Sequence, residues 1–181
     1  MKVIMISGKS GSGKDQIATF IANELNQNNK RVLVIHFGDL VKYFAGMYMG
    51  YEGKKDEFDR SLLQKLGTEI VRRKFPNYWA EIVAKFISAV EDGYDYAIIP
   101  DLRFINELLI VKKYNKDVVT IRINRFNADG TFYFNPGMTE EQRTHISECE
   151  LDDYCCDWYI NNDGTLDDLQ EAANQIIKEI G

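Results

Sequence analysis

The chain has 181 residues, of which 45% are hydrophobic and 28% charged, and its 22 basic and 28 acidic side chains give a formal net charge of −6. These proportions are typical of a soluble globular domain and exclude a collagen-like, mainly disordered or membrane-spanning chain, since no apolar run approaches the ~20 residues of a spanning helix. The acidic surplus argues against binding to nucleic acid, which requires a basic surface. No signal-peptide pattern is present, so we expect a cytoplasmic protein.

Strand and helix patterns alternate along the whole chain. Short apolar runs predict strands at residues 2–7, 31–37, 94–100, 117–124 and 157–161. Apolar residues at helical spacing predict helices at residues 14–26, 39–49, 58–74, 79–90, 106–114 and 166–180. The alternation predicts one α/β domain over residues 1–181, with a mainly parallel sheet covered by helices on both faces.

The segment after the first strand is rich in glycine and ends on a lysine at the start of a helix. It fits the pattern G-x-x-x-x-G-K, in which backbone N–H groups surround phosphate oxygens and glycines permit the tight backbone. The helix start adds its positive dipole end, and the Lys14 ammonium is placed between the β- and γ-phosphates. We therefore expect ATP to bind here, and the candidate residues are Gly8, Lys9, Ser10, Gly11, Ser12, Gly13, Lys14, Asp15 and Gln16.

Two acidic residues are candidates for holding Mg²⁺ through water. Asp15 stands where Ser or Thr usually ligates the ion, which leaves it either to act through water or to cap the helix. Asp101 ends the third strand, and ligands collect at the carboxyl ends of parallel strands. Arg103 follows it and is expected to face the same cleft. The alternative is structural, with Asp101 capping the next helix and Arg103 pairing with Glu107.

A polar stretch without a sustained period, at about residues 125–150, predicts a lid over the phosphate site. It opens with Arg125 and carries Arg143 near its far end. These cations could reach phosphate oxygens and exclude water, or each could be a solvated surface arginine. His145 and Glu148 form either a catalytic pair or, in the interpretation that we favour, part of a hinge. The turn after the last strand is either a helix cap or a second contact for the nucleotide, through Asn162, Gly164 and Thr165.

Five segments together resemble the deoxynucleoside monophosphate kinases of tailed bacteriophages, within the P-loop nucleoside monophosphate kinase superfamily. They are GKSGSGKD, LQKLGTE with YW downstream, IPDLR with Glu107, THISE, and INNDGTL. The resemblance implies a three-layer α/β/α P-loop NTPase fold with a five-stranded parallel sheet of order 2-3-1-4-5. It also implies a mobile lid, an acceptor-binding insertion at about residues 38–92, and transfer of the γ-phosphate of ATP to a deoxynucleoside monophosphate.

The resemblance further implies where the acceptor nucleotide binds. The insertion is reduced at about residues 47–60, and this region helps to select the base. The preferred base and the choice between ribose and deoxyribose therefore stay open. In such a fold the acceptor site draws on Asp39, Lys42, Gln64, Gly67, Thr68, Arg72, Tyr78 or Trp79, and Arg103.

Three functions agree with these patterns. The first is phosphoryl transfer from ATP to a (deoxy)nucleoside monophosphate, in which Lys14, Arg103, Arg125 and Arg143 supply charge and Asp101 holds Mg²⁺. The second is a P-loop kinase of another small phosphorylated acceptor, such as dephospho-coenzyme A or phosphomevalonate. The third is a nucleotide-binding module that catalyses nothing. The expected partners are small nucleotides, and a homodimer is one assembly that the sequence leaves open.

Overall fold

The computed structural model describes residues 1–54 and 56–180. Its strands are β1 (Lys2–Gly8), β2 (Val32–Val34), β3 (Tyr96–Leu102), β4 (Val118–Arg125) and β5 (Trp158–Asn162). Its α-helices are α1 (Lys14–Gln27), α2 (Gly38–Tyr48), α3 (Glu57–Gln64), α4 (Tyr78–Ala89), α5 (Ile105–Tyr114), α6 (Glu140–Thr144), α7 (Ile146–Cys149) and α8 (Leu166–Ile180). A π-helix at Lys65–Arg72 and a 3₁₀ turn at Glu91–Gly93 complete the elements. Among the described residues, no helix has the length and apolar character to cross a membrane.

The sheet has five strands in the order β2-β3-β1-β4-β5, and every neighbouring pair is parallel. Successive side chains of the central strand β1 point to opposite faces, so its sequence builds two cores. Ile4 and Ile6 pack with α1 and α8, whereas Val3 and Met5 pack with α4 and α5. Helices therefore cover both faces, and the predicted fold class is confirmed.

Strand β2 is shorter than predicted. The apolar run predicts a strand over residues 31–37, but only Val32–Val34 pairs with β3. Beyond β2, the Asp101 carboxylate in β3 accepts hydrogen bonds from Phe37 N and Gly38 N, both at 2.9 Å. This contact fixes the start of α2 at the carboxyl edge of the sheet.

The helix predicted over residues 58–74 is an α-helix that continues as a π-helix. It begins where Asp56 caps α3 by accepting a hydrogen bond from Asp59 N at 2.9 Å. Within the π-helix, the Gly67 carbonyl accepts a hydrogen bond from Trp79 Nε1 at 3.1 Å. Apolar spacing over two turns does not separate α from π geometry, and π turns are frequent at functional sites.

The region between β4 and β5 is folded back over the sheet edge. Phe126 and Phe132 form an antiparallel bridge, and the centroids of their rings are 4.8 Å apart. The short helix α6 begins at Thr139, whose hydroxyl accepts a hydrogen bond from Gln142 N at 3.3 Å. The stretch for which the sequence predicts a lid thus contains two short helices, α6 and α7, and a tight turn.

Candidate active site

The glycine-rich segment forms a loop between β1 and α1, at the carboxyl end of the central strand. Gly8 has φ +152°, and a Cβ there would lie 2.6 Å from the carbonyl oxygen of Ile123 in β4. Only glycine tolerates this close approach of two backbones. Gly11, with φ +79°, lies at the tip of the loop against the ring of Tyr133. The loop is therefore packed on both sides, which fixes the direction of its N–H groups.

Lys14 is the cation at the centre of this loop. Its side chain is buried, and Nζ donates hydrogen bonds to the carbonyl oxygens of Gly8 and Lys9, both at 2.8 Å. Burial, aided by the nearby Arg103, lowers the pKa of Lys14 from 10.5 to about 8, although the carboxylates around it oppose that shift. The ammonium group is thus held inside the loop, where phosphate oxygens of a nucleotide would contact it.

The two predicted Mg²⁺ residues lie in the same cavity as Lys14. Asp101 lines the cavity while its carboxylate holds the start of α2. Asp15 also lines it, is mostly exposed, and lies 4.0 Å from Nε2 of His36. Two carboxylates near a phosphate site fit Mg²⁺, which commonly takes one or two carboxylates together with phosphate oxygens and waters. Over residues 1–54 and 56–180, no three acidic, His or Cys side chains form a metal cluster.

Arg103 follows β3 and points toward the phosphate loop. Its guanidinium forms an ion pair with Glu148 of α7 and donates a hydrogen bond to the Ser147 carbonyl at 3.2 Å. The second carboxylate oxygen of Glu148 accepts a hydrogen bond from Ser10 N in the loop at 2.8 Å. The interactions with Arg103 and Ser10 outweigh the effect of burial and lower the pKa of Glu148. The Arg103 guanidinium thus pairs with Glu148, which is 45 residues away in the sequence, and not with Glu107, which is one helical turn away.

Glu107 pairs instead with Arg72, at the end of the π-helix. Arg72 Nη2 lies 2.6 Å from Glu107 Oε1, and the guanidinium stacks on the ring of Phe104, 3.9 Å from its centroid. The other oxygen of Glu107 accepts hydrogen bonds from the backbone N–H groups of Arg103 and Phe104. Because it is buried, the pKa of Glu107 is raised from 4.5 to about 7 in spite of Arg72. This pair joins the end of the π-helix to the first turn of α5.

One cavity of about 420 Å³ connects the phosphate loop with α2, α3 and the π-helix. Its size is that of a small-molecule site. The sequence-predicted residues that line it are Ser10, Gly11, Lys14, Asp15, Lys42, Gln64, Gly67, Thr68, Arg72, Trp79, Asp101 and Arg103. The predicted residues that lie outside its lining are Gly8, Lys9, Ser12, Gly13, Gln16, Asp39, Tyr78, Arg125, Arg143, His145, Asn162, Gly164 and Thr165.

The predicted lid residue Arg125 contacts the loop directly. It donates a hydrogen bond to the Gly11 carbonyl at 2.9 Å, and its guanidinium lies 4.1 Å from the centroid of the Tyr133 ring. Asn135 donates a hydrogen bond to Ser10 Oγ at 3.1 Å. Residues of the stretch for which the sequence predicts a lid therefore lie across the tip of the phosphate loop.

Several other predicted residues make structural contacts. Arg143 donates to the Met138 carbonyl within the lid. Asn162 donates to the Ser12 carbonyl at 2.9 Å, so the turn after β5 supports the phosphate loop. Thr165 caps α8 through reciprocal hydrogen bonds with Asp168.

Among the ionisable side chains that line the cavity, two were not predicted from the sequence. His36 follows β2, and its Nδ1 lies 3.3 Å from Asp39, so the rule that ligands collect at strand ends applies to it as well. Arg60 precedes Gln64 by one helical turn and Gly67 by two, so the helical spacing placed it on the same face. Arg60 donates a hydrogen bond to the Gly137 carbonyl, which connects α3 to the lid.

The sequence of this chain is similar to those of a family of enzymes. A family model described as deoxynucleotide monophosphate kinase matches residues 51–173. The deoxynucleotide monophosphate kinase of Enterobacteria phage T4 is 29% identical over 121 residues, and that of Escherichia phage RB69 is 26% identical over 121 residues. Each match covers 66% of this chain, and 45% and 44% of the two relatives. The matched part thus spans less than half the length of these relatives.

Comparison by structure shows the fold. An APS kinase of Mycobacterium tuberculosis, in complex with AMPPNP and APS, has a TM-score of 0.55 at 13% identity and matches over 98% of this chain and 95% of its own. A sugar kinase of Janibacter sp. HTCC2649 has a TM-score of 0.58 at 17% identity, with the same coverage of 98% and 95%. This chain therefore shares its fold with kinases that act on different acceptors.

Proposed function

Because this chain belongs to the deoxynucleotide monophosphate kinase family, we propose that it transfers the γ-phosphate of ATP to a deoxynucleoside monophosphate and yields the diphosphate. The observation that carries the proposal is the continuous cavity between the phosphate loop and the acceptor segment. Ser10 and Lys14 line one side of it, and Gln64 and Thr68 line the other. Phosphoryl transfer depends on holding donor and acceptor in line, which such a cavity supports.

ATP binding would use the phosphate loop. The N–H groups of the loop and the positive end of α1 attract phosphate oxygens. Lys14 would exchange its hydrogen bonds to the carbonyls of Gly8 and Lys9 for bonds to the β- and γ-phosphates. Arg103, which lines the same cavity, would add a second positive charge where negative charge spreads over the transferring group.

The acceptor would bind between the π-helix and α4. Arg72 lines the cavity, and Glu107 and the Phe104 ring fix the orientation of its guanidinium toward an acceptor phosphate. Trp79 also lines the cavity and offers an aromatic surface to a base. An oxygen of the acceptor phosphate attacks the γ-phosphorus, and the bond from that phosphorus to the bridging oxygen breaks, leaving ADP. A phosphate acceptor is already anionic, so the step needs no strong general base.

Mg²⁺ fits the carboxylates in this cavity. Asp101 and Asp15 would hold the ion through water, beside Lys14. Bound with ATP, the ion would neutralise charge on the β- and γ-phosphates. We also propose small nucleotides as partners and the cytoplasm as the compartment, because the proposed substrates are cytoplasmic metabolites. For its assembly we propose a homodimer.

The proposal is tested by measuring ADP release with ATP, Mg²⁺ and each deoxynucleoside and nucleoside monophosphate in turn. We expect turnover of at least one deoxynucleoside monophosphate. Lys14→Ala should reduce kcat/KM by about 10²- to 10³-fold, the usual cost of one group that stabilises transition-state charge. Lys85→Ala is the matched control, because Lys85 is exposed, lies outside the cavity lining and pairs with Glu81 on its own helix.

Other outcomes would change the assignment. If no nucleoside monophosphate is phosphorylated but another phosphorylated metabolite is, the chain is a kinase of a different acceptor. If ATP binds and no acceptor is found, the nucleotide-binding module is favoured. Equal activity of Lys14→Ala and wild type would remove the phosphate loop from the mechanism.

A further inference from the structure

A carboxylate already occupies the mouth of the phosphate loop. The Glu148 side chain is only 5% exposed. One of its oxygens accepts a hydrogen bond from Ser10 N at 2.8 Å, and the other pairs with the Arg103 guanidinium. A loop N–H group and an arginine are the donors that a nucleotide phosphate uses. The side chain therefore satisfies two donors of the phosphate site, Ser10 N and the Arg103 guanidinium, from within the protein.

The position of Glu148 is set by several contacts around α7. The His145 ring accepts a hydrogen bond from Ser147 N at 3.2 Å and so caps the helix. Lys9 Nζ donates to the backbone carbonyl of Glu148 at 2.7 Å. Arg103 donates to the Ser147 carbonyl. Because these backbone contacts do not involve the carboxylate, α7 can stay in place when the Glu148 side chain moves.

Charge explains why the carboxylate lies there. Lys14 and Arg103 are two cations in one buried region, and the negative charge of Glu148 is among those that offset them. A nucleotide phosphate at the same donors would face the carboxylate as a like charge. In low-dielectric surroundings such a pair is unfavourable, so the two anions would compete for the same N–H group and guanidinium.

We propose that Glu148 holds the phosphate site in the nucleotide-free protein and leaves Ser10 N and Arg103 when a nucleoside triphosphate binds. The ligand in this inference rests on the proposed function. Glu148 then lowers the affinity for the nucleotide, because part of the binding free energy is used to break the contacts of its carboxylate with Ser10 N and Arg103. A residue that merely supports the loop would have the opposite effect, since removing support weakens binding.

The test is the dissociation constant of Mg·ATP, measured by titration calorimetry on the full chain without an acceptor. We expect Glu148→Gln to bind about tenfold more tightly than wild type, the scale of one charge-assisted hydrogen bond. Glu150→Gln is the matched control, two residues further on. Its carboxylate accepts a hydrogen bond from Ile105 N, a bond that glutamine can keep, and we expect an unchanged dissociation constant.

The outcomes separate this inference from the proposed function. If wild type binds Mg·ATP and Glu148→Gln binds it equally or more weakly, Glu148 supports the site and the inference is wrong. If wild type binds no ATP, the proposed function fails first. Should Glu148→Gln not fold, Glu148→Ala replaces it, because it removes the carboxylate from both Ser10 N and Arg103, and the same tightening is expected.

Discussion

Glu107 offers a direct test of the electrostatics around the acceptor segment. Its buried carboxylate accepts hydrogen bonds from Arg103 N and Phe104 N at 2.9 and 3.0 Å and pairs with Arg72 at 2.6 Å. Burial nevertheless raises its pKa from 4.5 to about 7. Glu107→Gln is the informative change, because glutamine has the same shape but does not titrate.

The raised pKa fixes the sign of the pH dependence. Between pH 4.5 and 7 the folded protein keeps a proton on Glu107 that the unfolded chain releases. The free energy of unfolding therefore falls as the pH rises through this window, and the contribution is fully present below it. A shift from 4.5 to about 7 amounts to about 3 kcal/mol over the whole window, of which roughly 2 to 3 kcal/mol falls between pH 5 and 8.

The assay is urea denaturation of wild type and Glu107→Gln at pH 5, 6, 7 and 8. Titration of all other groups cancels in the difference between the two proteins, so this difference isolates Glu107. We expect wild type to lose about 2 to 3 kcal/mol relative to the variant from pH 5 to 8. Glu171→Gln, at an exposed position of α8, should run parallel to wild type. If wild type instead gained stability relative to Glu107→Gln, Arg72 would outweigh burial and the reasoning would be refuted.

Two further substitutions test packing around the site. Trp79→Phe removes the hydrogen bond to the Gly67 carbonyl at 3.1 Å and leaves a small cavity. Urea denaturation should therefore show a loss of about 2 kcal/mol in the free energy of unfolding. An unchanged free energy of unfolding would mean that the hydrogen bond contributes nothing to stability. Gly8→Ala places a Cβ 2.6 Å from the Ile123 carbonyl, and we expect a loss of about 3 kcal/mol or more. Gly130→Ala, at φ +80° in open space, should cost only about 1 kcal/mol, and equal losses for the two alanines would contradict the clash at Gly8.

The five strands followed from the sequence because the evidence for each of them is local. Apolar runs identify five strands, and the resemblance supplies their order, which the structure confirms. The errors lie where a distant group decides the local structure. Phe37 lies outside β2, and its N–H group and that of Gly38 donate hydrogen bonds to Asp101 on another strand. No pattern within residues 31–37 carries that information.

In the site, too, local features could be predicted from the sequence and contacts between distant residues could not. The phosphate loop is one contiguous motif, so its geometry was predictable from a few residues. The pairs that orient its neighbours are not local. Arg103 reaches Glu148, 45 residues away, and Arg72 reaches Glu107, 35 residues away. The sequence offered only Glu107, one helical turn away, as an alternative partner for Arg103, because partners that folding brings together leave no periodic signal in the sequence.

The net charge of −6 is a poor guide to the ligand because the acids pair with the cations of the site. Arg103 faces Glu148, whose pKa is lowered, so in the nucleotide-free protein this guanidinium charge is already neutralised. Lys14 differs, since its ammonium donates to the carbonyl oxygens of Gly8 and Lys9 at 2.8 Å and burial lowers its pKa to about 8. At the phosphate loop, Lys14 therefore supplies positive charge that attracts a phosphate, and that of Arg103 becomes available when Glu148 releases it. An anionic protein can in this way hold an anion-binding site whose affinity depends on exchanging one internal anion for the ligand.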